Sequence, residues 1–302
     1  MSSQPPLQAE PAPGAGPPGS EPLRAGRRSR LLGDAFGQEG AKGVAIAVVS
    51  TVVVLFVLAW LVVHSENWPA VKDSFFNGRE FRDSFPDIAQ KFVRNIEYFL
   101  IGEVFILAFA LLLAVLRSLP GPVFFPLRAL TIAYVDLFRG IPTILVIYIL
   151  GFGVPALGLR GVPISATFWG LVGLVLSYSA YVSEVYRAGI ESVHPSQVGS
   201  ARSLGLTRVQ ALRFVIVPQA VRRVIPPLLN DFVALQKDTA LVAFVVAVPE
   251  AFKEAQIIQN ADFNFTPLVA AAVLFLLITI PMTRLVDWVT ARERARRQGS
   301  AL

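Results

Sequence analysis

Two adjacent residues of opposite charge, Lys237 and Asp238, stand inside an apolar run that follows Pro226. A helix rises 1.5 Å per residue, so Lys237 lies about 16 Å beyond Pro226, near the middle of a bilayer. No carboxylate neutralises it on its own helix, because the residues three and four positions away are Val233, Ala234, Ala240 and Leu241. Charged side chains at membrane depth are costly and indicate functional sites. The partner of Lys237 is therefore an acid on another helix, such as Glu184 or Asp136, water, or a ligand that carries both charges.

A further charged group lies in the stretch DLFRGIPTILVIY, where Arg139 follows Asp136 by three residues. At this spacing the two side chains share a helix face and can pair. Gly140 and Pro142 come directly afterwards and are expected to break the helix, which exposes backbone groups that need a cavity or a protein partner. We favour a structural kink over a ligand contact at this point. Asp231, nearer the end of its own segment, is an additional candidate for the pathway of a ligand.

One face of the apolar segment at about 166–187 carries small residues and ends on a charge. Spacings of three and four residues place on this face Gly170, Gly173, Ser177, Ala180 and Glu184. Small residues let helices approach closely in lipid, so the face predicts helix packing. The same face could line a pathway instead, and Tyr181 beside it could contact a ligand.

The composition limits the class of protein to which these residues belong. The chain has 302 residues, of which 54% are hydrophobic and 16% are charged, and its mean hydropathy is +0.59. Soluble domains carry about 25% charged residues, so this balance predicts an all-α polytopic membrane protein. Cysteine is absent, and the two histidines, His64 and His194, stand in no metal-ligand spacing. The net charge of +6 is distributed as in a membrane protein, so no nucleic-acid partner is expected.

Apolar segments long enough to cross a bilayer predict six transmembrane helices, at about 43–63, 94–116, 129–151, 166–187, 225–247 and 267–289. Basic residues cluster before the first segment, after the second, between the fourth and fifth, and after the sixth. The positive-inside rule therefore places both termini in the cytoplasm. We expect three flanking regions, which are a disordered cytoplasmic tail at 1–42, an extracytoplasmic segment at 64–93 and a basic cytoplasmic tail at 291–302.

Residues 188–222, between the fourth and fifth segments, have the sequence pattern of two short helices on the cytoplasmic side. The pattern consists of a first-turn proline, an apolar stripe, a closing glycine and a capping box, which are in chain order Pro195, Val198 with Ala201 and Leu204, Gly205, and Thr207 with Gln210. One interpretation is an amphipathic connector on the lipid surface, attracted through its arginines to anionic headgroups. The other is a docking element for a partner.

The loop resembles the cytoplasmic EAA loop of ABC importer permeases, whose pattern is E-A-A, three residues, G, nine residues, I-x-L-P. Gly199-Ser200-Ala201 occupies the E-A-A position, Gly205 the glycine, and Val215-Ile216-Val217-Pro218 the final motif. More narrowly, DLFRGIPTILVIY and LQKDTALV are similar to segments of the polar amino acid uptake family. The resemblance covers about 94–290. The chain departs from the pattern where Gly199 replaces the glutamate and Ser200 the first alanine.

The resemblance implies a five-span permease core at 94–290 plus one extra N-terminal helix at 43–63. It implies a subunit of an importer for a glutamate- or glutamine-type amino acid, multi-pass in the bacterial inner or plasma membrane. Its partners would be two cytoplasmic ATPases that hold the ATP and Mg²⁺, a second permease that is a copy or a paralogue, and an extracytoplasmic solute-binding protein. The chain itself would hold no cofactor. The residues implied to couple to the ATPase are Val198, Gly199, Ser200, Ala201, Leu204, Gly205 and Pro218.

Other classes are weighed against this interpretation. A permease for another small polar solute stays open, as does an ion-coupled secondary transporter, although no inverted repeat is visible. An intramembrane enzyme is disfavoured because the sequence has no metal triad and no nucleophile elbow. The chain has no G-x-x-x-x-G-K-[ST] phosphate loop, so it is not its own ATPase. A passive anchor is disfavoured by Lys237 and Asp238.

Overall fold

A computed structural model describes residues 38–246 and 248–299 of the chain. Most of the tail expected at 1–42, and residues 300–302 of the tail expected at the other end, lie outside the described residues. The chain divides into two units, residues 1–68 and 69–302.

The first unit contains one described helix, α1 (Gln38–Val63), which begins five residues before the expected span at 43–63. Its two interior hydroxyl groups bond within the helix, since Ser50 Oγ and Thr51 Oγ1 donate to the carbonyl oxygen of Ala47 at 3.0 and 2.7 Å. Beyond its end, the ring of His64 stacks on Trp60 with 4.7 Å between ring centroids. A helix in lipid must satisfy its polar groups internally, and α1 does so.

A short helix, α2 (Trp68–Phe75), precedes the long helix α3 (Gly78–Ser118), which has 41 residues. The side chain of Asn77 caps α3 by accepting hydrogen bonds from the backbone N–H groups of Arg79 and Glu80. A proline at position 86 lies inside the helix without ending it. The segment expected at 64–93 is thus mostly helical, and its second half continues without a break into the expected span at 94–116.

The expected break after Arg139 is present and is sharp. Helix α4 (Phe125–Gly140) ends there, and the chain resumes as α5 (Thr143–Tyr148), a π-helical turn at Ile149–Gly153 and α6 (Val154–Ala156). The two parts, taken as 122–140 and 143–156, are bent by 102°. Pro142 has no N–H to continue the helical hydrogen bonds, which explains the break. The kink predicted from the sequence is therefore confirmed.

Helix α7 (Ala166–Glu191) packs its small residues against its neighbours. A Cβ atom built on Gly173 would lie 3.1 Å from Ile147 Cα, and one on Gly170 would lie 3.0 Å from a Val242 methyl group. Ser177 and Ala180 are also completely buried. The packing role predicted for this face is what the structure shows, because glycine is what permits the close approach.

After α7 the chain forms α8 (Pro195–Ser203), α9 (Arg208–Ala211) and a π-helical turn at Leu212–Ile216. It then runs directly into α10 (Val217–Val246), which contains prolines at 226 and 227 and begins eight residues before the expected span. Helices α11 (Ala251–Asp262) and α12 (Thr266–Gly299) complete the described chain. α10 with its preceding turn and α11 are bent by 50°.

Within the described ranges, four helices are long and apolar enough to cross a membrane, and six spans result if each of the two bent pairs counts as one. The described residues contain no β-strand. The larger core is built from α3, α5, α7 and α10 around fully buried residues such as Ile106, Ile147, Leu174 and Leu235. A second core lies between α3, α11 and α12, around Ile88, Ala255 and Ala270. The fold class is all-α, as the sequence predicts.

Candidate functional site

Asp238 lies in the middle of the helix bundle and is bonded to a hydroxyl group. Tyr178 Oη donates to Asp238 Oδ2 at 2.6 Å. Tyr178 is the thirteenth of the 26 residues of α7, so this contact lies halfway along that helix. No basic side chain among the described residues forms an ion pair with this carboxylate. A hydroxyl donor satisfies one oxygen while it leaves the negative charge uncompensated.

Lys237 is exposed at the surface of α10. It borders a cavity of about 330 Å³, whose other walls are Ala240, Phe252, Leu268, Ala271, Ala272 and Phe275. The pair expected with Glu184 or Asp136 is wrong, since the described residues show no ion pair at Lys237, and Glu184 is bonded to arginines. Lys237 thus presents a cation to an apolar cavity between α10, α11 and α12.

Two further acids lie beside this part of α10. Asp231 is seven residues before Asp238 and therefore on the same face of the helix, and its Oδ2 atom is buried without a hydrogen-bond partner in the described part of the chain. Glu103, on α3, interacts electrostatically with Asp231 and borders a cavity of about 290 Å³. The sequence reasoning missed Glu103, although a carboxylate inside the expected span at 94–116 is itself a signal.

A buried amide on α3 links three helices. Asn95 Nδ2 donates to Thr239 Oγ1 on α10 at 3.3 Å, and Asn95 Oδ1 accepts from the backbone N–H of Ala251 on α11 at 3.2 Å. The completely buried Glu250 caps α11 by accepting from the N–H groups of Lys253 and Phe252 at 2.8 and 3.0 Å. This network holds the bend between α10 and α11. Sequence reasoning missed it; the glutamate directly before a helical stretch is the signal that could have shown the cap.

Glu184 lies in an ion-pair cluster rather than at Lys237. Arg117 Nη1, from the last turn of α3, donates to Glu184 Oε1. Arg187 donates to Glu184 Oε2 through Nη2 at 2.7 Å and Nε at 3.1 Å, and also donates to Glu191. Arg139 Nη1 lies 3.9 Å from the same Oε2 atom. One carboxylate therefore connects the ends of α3, α4 and α7.

Arg139 does not pair with Asp136 as the sequence predicts. Asp136 is exposed and forms no ion pair among the described residues, while Arg139 turns toward Glu184 and Tyr181. The Arg139 guanidinium carbon lies 5.8 Å from the centre of the Tyr181 ring, and Tyr181 Oη donates to the Arg139 carbonyl oxygen at 3.3 Å. Glu184 lies on the neighbouring helix α7, outside the three- and four-residue spacings from which a pair with Asp136 is predicted.

The basic loop, residues 188–222, has the local geometry that its sequence predicts. Gly205 has φ +84° and ends α8 in the left-handed conformation. The N–H of Gly205 donates to Arg202 O at 3.0 Å and that of Leu206 to Ala201 O at 3.2 Å, which is a Schellman motif. Thr207 and Gln210 form the reciprocal capping box, through bonds of 2.9 and 3.3 Å.

The predicted coupling residues of the basic loop lie on different faces. Ala201 is buried against this chain, Val198 is half-buried and Leu204 is 84% exposed, so the three do not form one docking stripe. Gly199 and Ser200 are exposed on α8, and Pro218 is exposed in the first turn of α10. A cavity of about 430 Å³ is lined by Val198, Arg202, Val209, Ala211, Leu212 and Ile216. Ala201 is buried because the π-helical turn at Leu212–Ile216 packs back against α8.

The base of the basic loop is closed by contacts between α7, α8 and the start of α10. Arg223 donates to the carbonyl oxygen of Ser192, the residue that ends α7, and Gln219 donates to Gln197 on α8. Gly189 packs directly against α10, where a Cβ atom would collide with Val224. The two ends of the basic loop are therefore held together by contacts between α7, α8 and α10.

Comparison with known proteins identifies the class. A family profile described as the binding-protein-dependent transport system inner membrane component matches residues 106–295, and the chain belongs to this family. Members are the membrane subunits of transporters, so the chain is a permease subunit of the ABC type and not itself an enzyme. No group of metal-binding side chains occurs among the residues described.

Individual relatives are similar over most of their own length. The probable glutamine ABC transporter permease protein GlnM of Bacillus subtilis is 36% identical over 56% of this chain and 77% of the relative. The glutamate transport system permease protein GluC of Corynebacterium glutamicum is 34% identical over 65% of this chain and 90% of the relative. The crystal structure of an amino acid ABC transporter matches with a TM-score of 0.62 and 27% identity, covering 68% of this chain and 94% of that one.

Proposed function

We propose that this chain is the membrane-spanning permease of an ABC importer that moves a polar amino acid of the glutamine or glutamate type, delivered by a solute-binding protein. The observation that carries the substrate class is the pair of opposite charges at mid-span, Lys237 and Asp238, neither of which has an ion-pair partner among the described residues. An amino acid zwitterion brings both complementary charges. The names of the relatives, glutamine and glutamate permeases among them, support the same class.

Within this proposal, Lys237 attracts the substrate carboxylate at the cavity between α10, α11 and α12, and Asp238 attracts the ammonium group on the side of α10 that faces α7. Asp231 lies two turns away on the same face of α10 and offers the next acidic position along the helix. Tyr181, which is 37% exposed, lines the pathway. Arg139 and Glu184 were candidates for the same role, but their mutual contacts favour a structural one.

The basic loop is the proposed contact with the ATPase. Its exposed surface includes the apolar side chains of Leu204 and Val209, which are 84% and 73% exposed, together with Gly199 and Ser200. Gly205 ends α8, Pro218 lies in the first turn of α10, and Val198 borders the loop cavity. The assembly would contain two ATPases that hold ATP and Mg²⁺, a second permease and a binding protein. Both termini and this loop would face the cytoplasm, in the inner membrane of a bacterium.

Transport by proteoliposomes tests the proposal. The chain is reconstituted with its ATPase and binding-protein partners, and uptake of radiolabelled glutamine and glutamate is measured with ATP, without ATP, and with an ion gradient alone. We expect uptake only with ATP hydrolysis. Lys237→Met and Asp238→Asn should each lower uptake, while Glu97→Gln, in an exposed ion pair on α3, should not. Uptake driven by an ion gradient without ATP would contradict the proposed mechanism.

A further inference from the structure

Glu184 has three cationic partners, and they come from three different helices. Arg117 belongs to the last turn of α3, Arg139 to the last turn of α4, and Arg187 to α7 itself. Glu184 is seven residues from the end of α7, and the basic loop begins at that end. The carboxylate therefore lies where the loop joins the rest of the permease.

Glu184, Arg117 and Arg187 are partly shielded from water, whereas the side chain of Arg139 is 43% exposed. The side chain of Glu184 is 17% exposed, that of Arg117 25% and that of Arg187 28%. Ion pairs that are partly removed from water are screened less by salt than exposed pairs. Removing one partner of such a group also leaves a charge without compensation, which is more costly than the loss of an exposed pair. By contrast, Arg94 and Glu97 form a pair at 59% and 46% exposure.

On the other side of Glu184, the basic loop is fastened to α7. Arg223 donates to Ser192 O, and Gln219 to Gln197, so α8 and the start of α10 are bonded to the end of α7. Gly189 lets α7 contact α10 without a gap. These contacts join the loop to the last two turns of α7, which carry Glu184 and Arg187.

We infer that Glu184 is a positioning residue that transmits movement of the basic loop to α3 and α4. This inference rests on the proposed function, in which an ATPase moves the loop. Its carboxylate ties α7 to α3 through Arg117 and to α4 through Arg139. The movement continues along α3, because Asn95 of that helix bonds to α10 and α11 next to Asp238. Glu184 would thus set how much ATP hydrolysis is converted into transport, without itself contacting the substrate.

The test compares hydrolysis with uptake in the reconstituted full transporter, with radiolabelled glutamine as the probe. Glu184→Gln should keep ATP hydrolysis within about twofold of wild type while uptake per ATP falls at least about fivefold, the lower range of a coupling free energy between two sites. Arg117→Gln should give the same uncoupling, because it cuts the tie to α3 but leaves Arg187 on Glu184. Glu184→Asp should restore part of the uptake per ATP. Glu97→Gln is the matched control and should behave as wild type.

Spin labels measure the transmission directly, and the absence of native cysteines makes their attachment specific. Labels at Val123→Cys, in the turn between α3 and α4, and Ser203→Cys, in α8, should keep a narrow distance distribution in the ATP-free and ATP-trapped states. Glu184→Gln should broaden it. Unchanged uptake per ATP in Glu184→Gln overturns the inference, and if that variant does not fold, unchanged coupling in Arg117→Gln overturns it. Failure of the proposed function would look different, since wild type itself would then show no ATP-dependent uptake.

Discussion

Tyr178 and Asp238 join the middle of α7 to α10 through a hydrogen bond of 2.6 Å between the tyrosine hydroxyl and a carboxylate oxygen. The bond lies between the small-residue contacts of α7 on one side and the basic loop on the other. This hydrogen bond fixes the orientation of the Asp238 carboxylate. The neighbouring cation, Lys237, has no such bond and is exposed toward a cavity.

Tyr178→Phe should destabilise the permease because it removes the donor from a partly buried carboxylate. A group left unsatisfied in this way costs about 1–3 kcal/mol. Thermal unfolding of the purified protein in detergent measures the effect. Tyr181→Phe is the matched control. The Tyr181 side chain is exposed, and its hydroxyl donates to a backbone oxygen at 3.3 Å, so the loss of stability should be smaller. Equal stability of Tyr178→Phe and wild type would show that the bond contributes nothing.

Gly173→Ala should destabilise the contact between α7 and α5. The added Cβ atom would lie 3.1 Å from Ile147 Cα, a backbone atom that cannot turn aside, and overpacking of this kind costs about 1–3 kcal/mol. Gly199→Ala is the control for the amino acid change itself, since nothing lies within 4 Å of its Cβ position in α8. That substitution should instead stabilise its helix, by up to about 1 kcal/mol. Stability of Gly173→Ala equal to or above that of wild type would contradict the packing argument.

The features that the sequence predicts correctly are determined by residues close together in the chain. The break after Arg139 follows from Gly140 and Pro142, and the end of α8 from Gly205, because each is a local backbone property. The small face of α7 follows from helical spacing alone. The all-α class follows from the length and apolarity of the segments.

What the sequence reasoning missed depends on residues that are far apart in the chain. Glu184 and Arg117 are 67 positions apart, and the Asn95 bond to Ala251 spans 156. Spacing rules name partners only three or four residues away, so they offered Asp136 to Arg139. The buried side of Ala201 was missed for the same reason, since it is covered by the chain returning after α9. Helix lengths were underestimated where polar turns continue an apolar helix, as at the start of α3.

Glu250→Ala should loosen the bend between α10 and α11. Its side chain accepts two backbone hydrogen bonds at the start of α11 and is completely buried. Loss of an N-cap costs about 0.5–2 kcal/mol, and the freed N–H groups would be partly buried. Glu250→Gln keeps an acceptor oxygen and should retain more of the stability. Hydrogen exchange of the amides of residues 251–254, followed by mass spectrometry, should speed up in the alanine variant and much less in the glutamine variant.

Gly205→Val should disrupt the turn between α8 and α9, because valine at φ +84° is strained whatever space surrounds it. A bulky residue in this region costs about 1–3 kcal/mol, whereas asparagine tolerates it better. We expect Gly205→Val to lose both co-purification with the ATPase and ATP-dependent uptake, and Gly205→Asn to keep most of each. The membrane core should fold in both variants, which size-exclusion chromatography of the purified permease checks. If Gly205→Val retained ATPase binding and uptake, the turn would have no part in coupling. The positions of Leu204 and Val209 would then not depend on the conformation of residue 205.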